Sequence, residues 1–297
     1  MQAGLCPLED WDQALDFLKA LGISRSHLKK HLSSAQLKKS LRAKAELDFS
    51  LDVLNPGLIS PEYSSQQPKI IDENDDFIII HKPENVHGHA LNYLEQDNIL
   101  CWLRSIGYGK YLNVALAQHE RGLLYRLDQA TSGVLLYVKR EDLWNDLRAR
   151  FHQVAHLKRY IVVLDEKPVK EGLLNAWFDL TGKKVKASEI HKAQWVEGSM
   201  FVRTIREDAR GVVVAVDLAH GHRHQIRSHF AMFGTPIRGD KFYNGKEAER
   251  LFLHAYQYKI ENLINAKDVN LGFGSDFLDL DSDLEMLGDH SGIIHGR

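Results

Sequence analysis

The chain has 297 residues, 44% of them hydrophobic and 26% charged, with a formal net charge of −2 and two cysteines. That length suits one large domain, or a main domain with a small appendage. Two cysteines are too few for a disulfide scaffold or a cysteine-based zinc site, and the longest apolar runs, such as GVVVAV at 211–216, fall short of the roughly 18 residues of a membrane helix. A reducing cytoplasm and no membrane are therefore expected, and MQAGLCPLEDW, lacking a basic region followed by an apolar core, is not expected to act as a secretory leader.

Charge is unevenly spread. Residues 24–44 carry seven Lys or Arg and no acid, whereas 275–289 carry six acids and no base. The first stretch attracts polyanions and the second is repelled by them. In chain order, WDQALDFLKALG spaces Ala14, Leu15, Leu18 and Leu21 helically, and SRSHLKKHLSSAQLKKSLR opens on a Ser cap and continues as a second helix. Together they predict a small basic helical domain over 1–60. Ser, Pro and Gln cluster in NPGLISPEYSSQQP and mark a linker, narrowed to 61–68.

From Lys69 the β-rich runs IIDENDDFIIIHKP, GLLYRL, GVLLYVK, YIVVLD, MFVRTI and GVVVAVDL recur, with few helical stretches such as EDLWNDLRARFHQ between them. The expected class is α+β, a mixed and largely antiparallel sheet with helices on its faces, over 69–260. Residues 261–297, which include FGSDFLDLDSDLEMLGDHSG, read as an acidic, peripheral tail.

Between GLLY and GVLLYVK lies RLDQATSG, a lone carboxylate, Asp128, among turn formers. Taken alone, it is a turn. A second notable stretch, HGHRHQIRSHFAMFGTPIRGD at 220–240, sets Arg223 and Arg227 among histidines. His220, His222 and His224 alternate and could share a metal on an extended chain, but no carboxylate or Cys follows at matching spacing, and a polyanion site explains the composition as well. HGH at 87–89 reads as a Gly-centred loop. No GxSxG, GK[ST] or GxGxxG signature is present, which weakens hydrolase, NTPase and nicotinamide readings.

In order along the chain, DFIIIHKP, RLDQATSG with LLYVK, KRY at 158–160, HQIRSH with FGTPIRGDKFY, and LFLHA at 251–255 resemble the motifs of the RluA-type pseudouridine synthases over about 69–260. LGISRSHLKK resembles the start of an S4 RNA-binding module, although no Val-x-Asn-Gly hairpin follows. The resemblance implies an RNA isomerase that breaks the ribose C1′–N1 bond of uridine and joins C1′ to C5, in ribosomal or transfer RNA, with no cofactor and no metal. It assigns Asp128 as the catalytic carboxylate, Arg227 as its cationic partner and Tyr160 as the aromatic that stacks on the flipped uracil. Arg126, His224 and Gln225, in the same motifs, are assigned to substrate binding. A carboxylate flanked by apolar residues needs such a partner, because an unpaired buried charge is costly. Tyr125 stands where the family often has His, and His222-Arg223 where it usually has Arg-Thr, which bears on substrate preference. RNA is the expected partner and a monomer the expected state. The rivals are a non-catalytic RNA-binding or ribosome-assembly protein that keeps the fold, and an N-glycosidase, which usually needs a second carboxylate.

Overall fold

The computed structural model describes residues 2–5, 7–20, 23, 25–50, 53, 59, 62–91, 95–116, 118, 120–168, 170–218, 221–273 and 283–284. Cys6, His220 and most of the acidic stretch beyond 273 lie outside them.

The N-terminal residues form their own small core. Strands β1 (Gln2–Leu5) and β2 (Leu47–Ser50) pair antiparallel, and helices α1 (Ala14–Ala20), α2 (Arg25–His31) and α3 (Ser34–Lys38) bring Leu18, Leu28, Leu37 and Leu41 into one buried cluster. The sequence predicts one helix where α2 and α3 stand. Ser33 breaks it: its hydroxyl accepts the Gln36 amide while the Gln36 side chain returns to the Ser33 amide, a capping box that starts a new helix in mid-segment.

The stretch read as a linker is tied down at its end, where Asp97 accepts the backbone amides of Ser64 (2.7 Å) and Ser65 (3.0 Å). The main sheet follows. Its strands are β3 (Lys69–Glu73), β4 (Phe77–Lys82), β5 (Ser132–Val138), β6 (Ala155–Leu164), β7 (Gly172–Asp179), β8 (Lys186–Ser188), β9 (Val196–Asp208), β10 (Gly211–Leu218), β11 (Leu253–Ile260) and β12 (Ile264–Lys267). Their order is β3-β4-β5-β11-β6-β10-β9-β7-β8, with β12 on β11, and every pairing is antiparallel except β5 with β11. The expected mixed, largely antiparallel α+β class is therefore correct. Helices α4 (Ile99–Ser105), α5 (Glu141–Ala149), α6 (Phe151–Val154) and α7 (Gln225–Met232) complete the domain.

Two sequence readings need correction. IIDENDDFIIIHKP is a hairpin rather than one run: Asn74 accepts the amides of Asp76 and Phe77 and turns β3 into β4. GLLYRL is not a strand. Arg121 and Gly122 both have positive φ, 54° and 81°, and the segment keeps only a bridge from Leu123 to Tyr137 before leaving β5. Its apolar residues are there because Leu123, Leu124, Tyr125 and Leu127 are all buried beneath an irregular segment.

The parallel pairing of β5 with β11 sets where the Asp128 loop ends. Gly133, at φ 116°, lies so close to Ala255 that a Cβ would overlap that residue's backbone carbonyl and amide. A buried network braces the junction. Ser132 Oγ meets His254 Nδ1 at 2.8 Å and receives Arg250 at 2.6 Å, while His81 Nδ1 lies 2.5 Å from Asp268 Oδ2. The segment read as an acidic tail thus begins inside the sheet, with β12 and Asp268.

Candidate active site

RLDQATSG is both a turn and the edge of a cavity. The Thr131 amide donates to the Asp128 carbonyl at 3.1 Å, closing the turn that leads into β5, and the Asp128 side chain lines a cavity of about 790 Å³. From beneath, the fully buried Lys82 holds this loop. Its three ammonium donors meet three carbonyls, those of Pro83 (2.9 Å), Val86 (2.6 Å) and Gln129 (3.0 Å). Burial draws the Lys82 pKa down to about 7, against the pull of Asp128 and Glu84. The KP turn was legible in the sequence; the role of its lysine was not.

Arg227 approaches from α7. Its Nη1 donates to Asp128 Oδ2 at 3.2 Å, while Nε and Nη2 donate to the two oxygens of Asp240, each at 2.8 Å. Burial opposes its charge, but Asp240 and Asp128 outweigh that and raise its pKa above the ordinary arginine value. Asp240, whose side chain is 0% exposed, also accepts the amides of Phe242 and Tyr243, and so closes the 3-10 turn Lys241–Tyr243. A Cβ at the preceding Gly239 would overlap the Arg250 carbonyl, so the chain can pass there only as glycine. The sequence reading quoted RGD without assigning Asp240 a role.

His224 lies at the head of α7 in a left-handed conformation, with Nε2 3.7 Å from Asp128 Oδ2, beyond hydrogen-bond reach, and Nδ1 3.1 Å from Tyr243 Oη. Burial lowers its pKa, which favours the neutral ring beside Arg227. His222, which also lines the cavity, meets the Glu197 carbonyl at 2.9 Å, and His220 lies outside the described residues. Gln225 lines the cavity, but its amide is committed: it donates to the Ser199 carbonyl and accepts the His222 amide. Arg126 is exposed at the cavity edge.

Tyr160, on β6, faces the same cavity and is buried. Its hydroxyl shares a 2.7 Å hydrogen bond with Tyr258 on β11, and Tyr258 stacks on Tyr125 with centroids 4.0 Å apart and planes 4° apart. Desolvation raises the Tyr160 pKa well above its usual value. Sequence reasoning missed Tyr258. Tyr125, noted only as a departure from a family pattern, is its stacking partner. Beside them Lys158 lies 5.5 Å over the Phe151 ring, and burial draws its pKa down to about 8. The cavity thus brings Asp128, Tyr160 and Arg227 together. Its chemistry is that of a carboxylate beside a fixed cation and a flat aromatic wall, suited to a planar ring and a reacting carbon.

Residues 76–232 match the family model described as RNA pseudouridylate synthase. A ribosomal large subunit pseudouridine synthase C from Rickettsia felis is 28% identical over 68% of this chain and 66% of its own length. An "uncharacterized RNA pseudouridine synthase" from Helicobacter pylori is 27% identical over 63% of this chain. The chain spans 60% and 66% of the length of these two relatives. Among solved structures, human RNA pseudouridylate synthase domain containing 1 aligns with a TM-score of 0.53 at 18% identity, covering 70% of this chain and 84% of that one, which shows a common fold.

Proposed function

The chain belongs to the RNA pseudouridylate synthase family, and on that premise we propose that it isomerises uridine to pseudouridine in ribosomal or transfer RNA. The name of the Rickettsia felis relative favours ribosomal RNA. The observation that carries the reading is the Asp128–Arg227 contact of 3.2 Å in a cavity walled by Tyr160. Asp128 acts on the sugar, either as a nucleophile at C1′ or as the base that removes a ribose proton. The C1′–N1 bond breaks, the uracil turns against Tyr160, and C1′ joins C5 as Asp128 gives back the bond or proton it took from the sugar; the C5 proton leaves and N1 takes one up, so the product keeps the substrate's mass. Arg227 faces the carboxylate with a fixed positive charge and keeps it aimed. Residues 1–60 are proposed to grip RNA phosphates. Lys29, Lys30, Lys38 and Lys39 are exposed, while Arg42 is taken by Asp10 at 2.6 Å.

The test is to map pseudouridine in total RNA with and without the gene, and to incubate purified protein with ribosomal and transfer RNA. Pseudouridine formation supports the isomerase. Release of free uracil supports the N-glycosidase, and RNA binding with neither product supports the non-catalytic protein.

A further inference from the structure

Arg223 stands where the family usually has Thr, and its guanidinium is spent within the chain. It donates to the carbonyls of Leu180 (3.0 Å), Gly182 and Lys183 (3.2 Å), tying the loop after β7 to the head of α7. That tether brings Lys183 and Lys184, both exposed, beside the cavity edge, where Lys184 Nζ lies 5.0 Å over the Tyr243 ring. No carboxylate pairs with either lysine among the described residues. Next to Tyr243 stands Phe242, 44% exposed although it is a large apolar side chain. Its ring lies 5.5 Å from that of His224 and 5.8 Å from the Arg227 guanidinium, the two groups that flank Asp128. The turn capped by Asp240 fixes it there.

We propose that Phe242 is a stacking platform for the base next to the target uridine in single-stranded RNA, with Lys183 and Lys184 holding the adjoining phosphates. The inference rests on the RNA reading above and extends it to a neighbouring nucleotide. A strand whose target sugar reaches Asp128 must run past one of the groups bordering it. On this side it meets an exposed aromatic face flanked by cations without carboxylate partners, the combination that holds single strands without regard to sequence. The two lysines depend on Arg223 for their place, so the phosphate-holding part of the platform belongs to this chain's own departure from the family pattern.

The experiment measures anisotropy of fluorescein-labelled oligouridylate 12-mers and abasic 12-mers of the same backbone with full-length protein. Phe242→Ala should weaken oligouridylate binding about five- to hundred-fold and leave the abasic strand unaffected, while Phe242→Trp retains both. Lys183→Ala with Lys184→Ala should weaken both strands and reduce the slope of log affinity against log salt by about 1.4. Equal oligouridylate binding by Phe242→Ala and wild type, equal losses on the two strands, or an unchanged salt slope would overturn the platform. Wild-type protein that binds neither strand would overturn the platform and the RNA reading together.

Discussion

Asp240 takes two hydrogen bonds of 2.8 Å from Arg227 and leaves Nη1 free to reach Asp128 at 3.2 Å. The partner of the proposed catalytic carboxylate is thus aimed by a second, fully buried carboxylate. Asp240→Asn replaces a bidentate acceptor by an amide that offers only one oxygen, so the guanidinium loosens. The single-turnover rate should fall about 100-fold with RNA affinity little changed. Arg227→Ala is a harsher change. It strands Asp240 without a counter-charge and should cost about 3–5 kcal/mol of stability, read in a melting curve beside the rate. A rate for Asp240→Asn equal to wild type would remove its aiming role.

Asp128→Asn keeps the shape of the side chain and removes its reactive charge. Pseudouridine formation should be lost while RNA affinity stays within about threefold, a change of under 1 kcal/mol. Substantial turnover by this variant would sink the mechanism.

Tyr160→Phe keeps the ring but leaves the Tyr258 hydroxyl, 2.7 Å away in wild type, without its partner. It should bind RNA normally and lose about 1 kcal/mol of stability. Tyr160→Ala should in addition lose about 1–3 kcal/mol of nucleotide binding. Equal binding by the two variants would return Tyr160 to a purely structural role.

His229 gives a pH prediction. It is fully buried, and among the described residues neither ring nitrogen has a hydrogen-bond partner. Burial draws its pKa down to about 4, below the ordinary 6.5. Above 6.5 the ring is neutral in both states and its contribution is fully present. Between 6.5 and about 4 the unfolded chain takes up the proton first, so stability falls with pH by about 3 kcal/mol from this group. Urea midpoints between pH 7 and 4 should show that loss, and His229→Leu should flatten it. Identical slopes would exclude His229.

Deleting residues 1–60 should weaken RNA binding and flatten its salt dependence, because Lys29, Lys30, Lys38 and Lys39 would no longer displace counterions. Unchanged slopes would mean that these cations face only solvent.

The residues proposed to act on the substrate were easier to read than those that hold them. Asp128, Tyr160 and Arg227 stand in short ordered motifs, and the cavity brings all three together. Asp240, Lys82 and Tyr258 were missed because their work is mutual: Lys82 and Tyr258 act on partners 47 and 98 positions away, Gln129 and Tyr160, and Asp240 acts on Arg227 through a turn that spacing alone does not show. Secondary structure failed for a similar reason. GLLYRL is apolar because it is covered, not because it alternates, and the second N-terminal helix splits at Ser33 by a local cap that helical spacing does not register. β7 does alternate in burial along Gly172–Asp179, yet its exposed Leu173 blurred the pattern.

The parallel contact of Gly133 with Ala255 also has a temporal meaning. Ser132 and His254 are 122 positions apart, so the strand that carries the Asp128 loop gains its inner neighbour only after most of the chain has been made. Closing so long a loop is entropically slow, and parallel pairing is among the last contacts to be rewarded. Until β11 docks, one edge of β5 is open and the loop ending in Gly133 is held only from the β4 side by Lys82, so a nascent chain can carry the full RLDQATSG motif long before the cavity around it is complete.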